Sequence, residues 1–156
     1  MMRGALNIFL PLLAVICLAE NAFPFGTSTQ SSNLVNFRND IVPILTKAGC
    51  NSGPCHGAAA GKKGFKLSLR GHDPETDHAV LTRQSLGRRI SQMVPSHSLM
   101  LLKPTGTIPH GGARRFTVDS VEYQILADWI AQGAIGPTPT DPRILEIVIT
   151  PGLTMK

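Results

Sequence analysis

Apolar residues along this chain gather into a few short amphipathic stretches separated by glycine- and proline-rich loops. Leu34, Phe37, Ile41, Leu45 and Ala48 recur at three- and four-residue intervals, which places them on one face of a helix over 34–48. Asn33 stands where it can cap that helix and Gly49 where it can end it. Pro43 lies inside and is expected to bend it. A second strong pattern begins at Asp119: Tyr123, Leu126 and Ile130 share a face, with Val121, Ile125 and Trp129 beside them. Asp119 and Glu122 have capping-box spacing, and Gly133 is the expected stop. Between these, residues 77–81, 86–93 and 96–103 suit short helices, and 65–69 (FKLSL) alternates like a short extended piece. Residues 105–115 read as a loop and 134–142 (AIGPTPTDP) as a linker. Residues 143–150 read as a β-strand with no evident partner. The expected fold class is mostly α, with a short C-terminal β segment.

Composition narrows the picture. At 42% hydrophobic the chain is too apolar to be disordered, and 156 residues suffice for one domain with a modest core. Fifteen Gly and twelve Pro argue for many turns, and no heptad is sustained. Three Cys are too few for a disulfide scaffold. The net charge of +5 permits nucleic acid, an anionic surface or an acidic protein partner. Nucleic acid is disfavoured because aromatics are not interleaved with the cations.

The N-terminus carries a targeting pattern. A short positive start (Met1 to Arg3) precedes the apolar stretch 6–19 and then a polar run, the layout of a secretory signal peptide over residues 1–22. The stretch is short for a bilayer span, which takes about 20 apolar residues. Cys17 falls inside it, without the small residue just upstream that a lipoprotein signal wants. The mature chain would then hold two thiols, Cys50 and Cys55, in a periplasmic or cell-surface setting that favours bonded sulfur.

Those two thiols sit in the most informative stretch, Cys50-Asn51-Ser52-Gly53-Pro54-Cys55-His56. Covalent haem attachment usually uses C-x-x-C-H: the two Cys bond the macrocycle and the His behind the second reaches the iron. Here four residues separate the thiols, so the extra two must bulge outward, and Gly53-Pro54 suit a turn. Three other readings stay open. The pair could form a plain disulfide in a haem-free structural or interaction module of a cell-surface protein. It could bind zinc with His56 and one more His, although no second tight ligand pair is evident. It could be a redox dithiol, although that motif is normally C-x-x-C in a βαβ setting. The stretch 57–63 (GAAAGKK) lacks the spacing, the Ser/Thr and the preceding strand of a phosphate loop, so nucleotide binding is rejected.

Taken in order, signal peptide, amphipathic helix, Cys/His loop, short helices, glycine-proline loop and Trp-bearing last helix resemble a class I c-type cytochrome. The stretches GCNSGPCHGAAAGKKGFKLSLRGHDPETD, LGRRI, SLMLLKPTGTIPHGG and EYQILADWIAQGA are similar to the cytochrome c-like module of large exported planctomycete proteins. The resemblance covers about residues 34–150. It implies a cytochrome c-like domain over 33–136 built around one covalent haem c. Residues 137–156 would be a linker and the start of a truncated β domain. The implied task is one-electron transfer with an unknown redox partner, an acidic one being suited to the basic chain. That is an electron carrier and not an enzyme, with haem peroxidase activity as the side alternative. Cys50 and Cys55 would tether the haem and His56 would be the proximal ligand. In many small cytochromes a Met in a Met-Pro loop is the sixth ligand. Here the slot reads Ile108-Pro109-His110, so His110 is the expected distal ligand, with Met100 the alternative and Met93 a weaker competitor. Two imidazoles would hold the potential below that of a Met/His pair. Met100 sits among leucines and fits a core role. Arg114 and Arg115 are candidate contacts to the haem propionates. Lys62, Lys63, Lys66, Arg88 and Arg89 read as a solvated basic face, and His72, His78 and His97 as surface.

Overall fold

A computed structural model describes residues 34–148. The expected signal segment, 1–22, and the last two residues of the expected strand, 149 and 150, lie outside them.

The first amphipathic stretch opens with a π-helical turn, Phe37–Ile41, that runs directly into α1, Val42–Lys47. The cap is Asn36 and not Asn33: its side-chain oxygen accepts from the Asn39 amide at 2.9 Å. Pro43 explains the wide turn. It has no N–H for the carbonyl four residues back, and the ladder ahead of it widens so that the Val42 amide reaches the Phe37 carbonyl. The helix ends as its sequence predicts. Gly49 takes φ +74°, the Cys50 amide donates to the Leu45 carbonyl and the Gly49 amide to that of Thr46, the paired bonds of a Schellman stop.

The helix α2, Pro74–Thr82, is capped by Asp73, which accepts from the Thr76 amide. The expected helix over 86–93 does not form. Ser85, Leu86 and Gly87 take φ between +56° and +68°, conformations that a right-handed helix cannot contain. The stretch 96–103 is a single 3-10 turn, Pro95–His97, followed by α3, Leu99–Leu102; extended Ser98 separates them. The stretch 65–68 pairs with no strand, making only an isolated bridge between Lys62 and Phe65, and Leu69 already opens a 3-10 turn, Leu69–Gly71.

The last helix, α4, spans Val121–Ala131. Ser120 caps it and not Asp119: the Ser120 hydroxyl accepts from the Tyr123 amide at 3.1 Å while donating to the Thr117 carbonyl. Glu122, freed from a capping box, pairs with Lys47 of α1 at 2.8 Å. Gly133 (φ +96°) stops the helix by the same Schellman pattern as Gly49, with Ala134 bonding back to Trp129 and Gly133 to Ile130.

The first and last helical segments pack together. Phe37 and Trp129 lie with ring centres 5.4 Å apart, and both belong to the buried cluster with Ile41, Leu126, Ile130, Leu67 and Leu101. His78 is drawn into this contact: its ring meets Phe37 edge-on at 5.2 Å, and its Nε2 hydrogen-bonds the Ala134 carbonyl. It is therefore a packing residue, not the surface one its polar neighbours suggest. Asp77 is likewise buried and holds the stretch 65–68 onto α2, accepting from the Ser68 amide and hydroxyl.

The described residues are mostly helical and contain no strand, so the expected C-terminal β segment is absent as far as residue 148. Ile144, Leu145, Ile147 and Val148 are exposed; a strand needs a ladder partner for its N–H and C=O groups, and none is near. The stretch 134–142, by contrast, is more than a linker. Asp141 is buried and accepts from Asn36, from the Thr138 amide and from the Thr138 hydroxyl, with Arg38 Nε at 3.5 Å. Thr138 foremost, then Asn36 and Arg38, hold its carboxyl below the usual carboxylate pKa. A depressed native pKa contributes stability above the ordinary carboxylate range and loses it as pH falls through the native value. Asp141→Ala strands these donors and is expected to cost about 2 kcal/mol at pH 7. In urea unfolding the gap to wild type should close as the pH is lowered toward 3. A gap that is independent of pH would show that the carboxylate charge contributes nothing.

Candidate functional site

The Cys/His loop starts where the Gly49 stop turns the chain. The Ser52 hydroxyl donates to the Gly49 carbonyl at 2.7 Å, and the Cys55 and Gly57 amides both return to the Ser52 carbonyl. Gly53 and Pro54 stand exposed at the apex, the outward bulge that the four-residue spacing requires. Asn51 is the anchor that sequence reasoning missed. It is 1% exposed, its side chain donates to Thr46 and its carbonyl accepts from Arg70. The fit is close enough to exclude a side chain at Gly57, where a Cβ would stand 2.1 Å from the Asn51 carbonyl oxygen.

Cys50 and Cys55 are both half-buried and unbonded. Burial pushes the Cys50 thiol up to about 11, against the opposing pull of Arg115, so it is protonated at neutral pH. The Arg115 Nη2 donates to the Cys55 sulfur at 3.1 Å. Arg114, its neighbour, is exposed and makes no polar contact to the site among the described residues. Met100 is buried in the core, while Met93 is 96% exposed.

The structure brings the two candidate histidines together. His56 and His110 are 54 positions apart in sequence, yet their rings are 6.5 Å apart between centres and within 8° of parallel. Each is tethered in the same way. His56 Nδ1 lies 3.1 Å from the Phe65 carbonyl, and His110 Nδ1 lies 3.0 Å from the Ala113 carbonyl. A carbonyl only accepts, so both Nδ1 atoms carry a proton, and Nε2 is the nitrogen of each ring left to meet a metal. Backbone anchoring of the far nitrogen is the usual support of a ligating imidazole. Burial foremost, with the nearby charges of Arg89 and Lys62, pushes the His56 pKa below the ordinary imidazole value against the opposing hydrogen bond to the Phe65 carbonyl, which favours the neutral ring. The His110 ring needs Gly112: a Cβ there would stand 2.8 Å from Cε1 and 3.1 Å from Nε2.

Behind His56 lies Phe65, with ring centres 4.2 Å apart, and over Phe65 lies the guanidinium of Arg89 at 4.4 Å. Arg89 is 8% exposed, so it does not belong to the solvated face expected of the Arg88-Arg89 pair. Nothing in its local sequence distinguishes it from Arg88, which is exposed.

Chemically the site brings together two imidazoles with parallel rings and, in the loop that carries His56, two unbonded thiols. Among the described residues no three His, Cys, Asp or Glu side chains converge on a point. A tetrahedral protein-only zinc site, the alternative left open by the sequence, needs four such ligands and has no support here. No family model, curated protein or solved structure matches the chain.

Proposed function

We propose that this chain is an exported c-type cytochrome module that carries one covalent haem and transfers single electrons. The observation that carries this reading is the pair His56 and His110, whose rings lie within 8° of parallel with centres 6.5 Å apart, each anchored at Nδ1 by a backbone carbonyl. The bulged loop that presents Cys50 and Cys55 beside His56 supports it further.

In this reading Cys50 and Cys55 form the two thioether bonds and His56 is the proximal ligand. His110 would be the distal one, and Arg115 lies against Cys55, on the thioether edge of the macrocycle and opposite the edge that carries the propionates. A haem held there would supply one-electron chemistry, passing an electron from a reduced donor to an oxidised acceptor. The chain's own residues hold the two imidazoles by the Phe65 and Ala113 carbonyls and set the local charge. Stretches 41–72 and 78–118, which hold every site residue named here, contain no Asp or Glu. An acidic redox partner fits that face, since complementary charge speeds encounter.

The test is a pyridine haemochrome assay with a visible spectrum on full-length protein from a host with c-type maturation machinery. One covalent haem per chain and a low-spin six-coordinate spectrum are expected. A colourless folded protein with no free thiol would replace this reading by the disulfide-bonded surface module. His110→Ala should convert the wild-type spectrum to a five-coordinate or water-ligated high-spin form without loss of the covalent haem. An unchanged low-spin spectrum would remove His110 from the ligand set and return attention to Met100.

A further inference from the structure

Arg89 is a buried cation without a counter-charge. Its Nη1 donates to the Val80 and Gln84 carbonyls at 2.9 and 3.1 Å, at the C-terminal end of α2, where partial negative charge gathers. No carboxylate forms an ion pair with it among the described residues. A full charge held in the protein by dipoles alone is costly, and a plain packing role at this position would be met by an apolar residue. Its neighbours indicate what the charge acts on. The guanidinium lies 4.4 Å from the Phe65 ring centre, that ring lies 4.2 Å from His56, and the Phe65 carbonyl fixes His56 Nδ1.

We infer that Arg89 is the positioning and potential-setting residue of this site: through Phe65 it holds His56 in place, and its buried charge favours the reduced state of the iron that His56 ligates. The inference rests on the cytochrome reading above. The oxidised centre carries one more positive charge than the reduced one, so a fixed cation nearby penalises oxidation. At about 10 Å and an effective dielectric of about 20, the interaction is worth roughly tenfold in the equilibrium between the two states. For a one-electron couple tenfold is about 59 mV. Two imidazole ligands alone would place the potential low, and Arg89 works against them. Because the charge is buried, salt should screen its effect little, unlike that of Arg88 at the surface.

The test is a spectroelectrochemical titration of the full-length holoprotein at low and high salt. Arg89→Gln should lower the midpoint potential by about the tenfold equivalent at both salt levels, with the low-spin spectrum and haem content unchanged. Arg89→Lys keeps the charge and should stay near the wild-type potential. Arg88→Gln should give a smaller shift that high salt abolishes. Should Arg89→Gln fail to fold, Gln84→Glu serves instead. It adds a carboxylate to a residue whose carbonyl already holds the guanidinium, and it should lower the potential while Arg89 remains. A wild-type potential in Arg89→Gln with intact ligation, or equal shifts in Arg88→Gln and Arg89→Gln, overturns the inference and leaves the cytochrome reading standing. With Gln84→Glu as the surrogate, an unchanged potential overturns it equally. A wild-type protein without covalent haem removes both, and that result precedes any variant.

Discussion

Replacing Cys50 and Cys55 together by Ser is expected to abolish covalent haem completely. Acid–acetone should then extract all haem from the variant and none from the wild type. The two thiols are the only ones outside the apolar stretch 6–19, which holds Cys17, and the double variant removes both thiols of the Cys/His loop. The histidines are independent of them: each ring is held by its own backbone carbonyl, Phe65 for His56 and Ala113 for His110. The double variant should therefore still take up added haem, reversibly and with a low-spin spectrum. Single variants should keep one thioether bond and resist extraction. Magnitudes separate this from the disulfide alternative. A bridge closing so short a loop stabilises by only about 2 kcal/mol through chain entropy, and its loss would leave every spectrum unchanged. Haem that stays covalently bound in the double variant would eliminate the assignment of both cysteines.

The largest loss of stability is expected for Trp129→Ala, about 3–5 kcal/mol. That is a large fraction of the roughly 5–15 kcal/mol by which a domain is stable. Trp129 is fully buried, with Phe37 at 5.4 Å and His78 at 6.2 Å between ring centres. Its Nε1 donates to the Ile135 carbonyl at 2.9 Å. The residue thus joins the first helical segment, α2, α4 and the stretch beyond Gly133. Trp129→Phe keeps most of the apolar volume and leaves one carbonyl unpaired, so about 1–2 kcal/mol is expected. Urea unfolding of the haem-free chain measures both. A cost below 1 kcal/mol for the alanine variant would show that this junction does not hold the helices together.

Much of this was legible in the sequence because it is local. The stops at Gly49 and Gly133 follow from a backbone turn that only a residue without Cβ adopts at low cost. The amphipathic faces of the first and last helices marked Phe37, Ile41, Leu126 and Ile130 as buried, and all four lie in the core. The bulge at Gly53-Pro54 followed from the spacing of the two thiols. Local pattern also misled. Both helix starts offer more than one capping side chain, and the caps are Asn36 and Ser120, whose side-chain oxygens accept from the Asn39 and Tyr123 amides. Residues 86–93 have helical spacing, but the left-handed turn at 85–87 forecloses a helix there. The 134–142 stretch has loop composition, yet Asp141 fastens it to Asn36 and Thr138.

By itself the sequence determined the Cys50–His56 turn, the two main helices and their stops, since each depends on sterics and hydrogen bonds within a few residues. Only the tertiary structure decided that the His56 and His110 rings lie 6.5 Å apart, that Arg89 is buried while Arg88 is not, that Asp77 is buried and that half-buried His78 packs against Phe37. These outcomes depend on how the whole core closes. The side chains concerned are chemically ordinary where they stand in the chain, and they acquire their roles from neighbours tens of residues away.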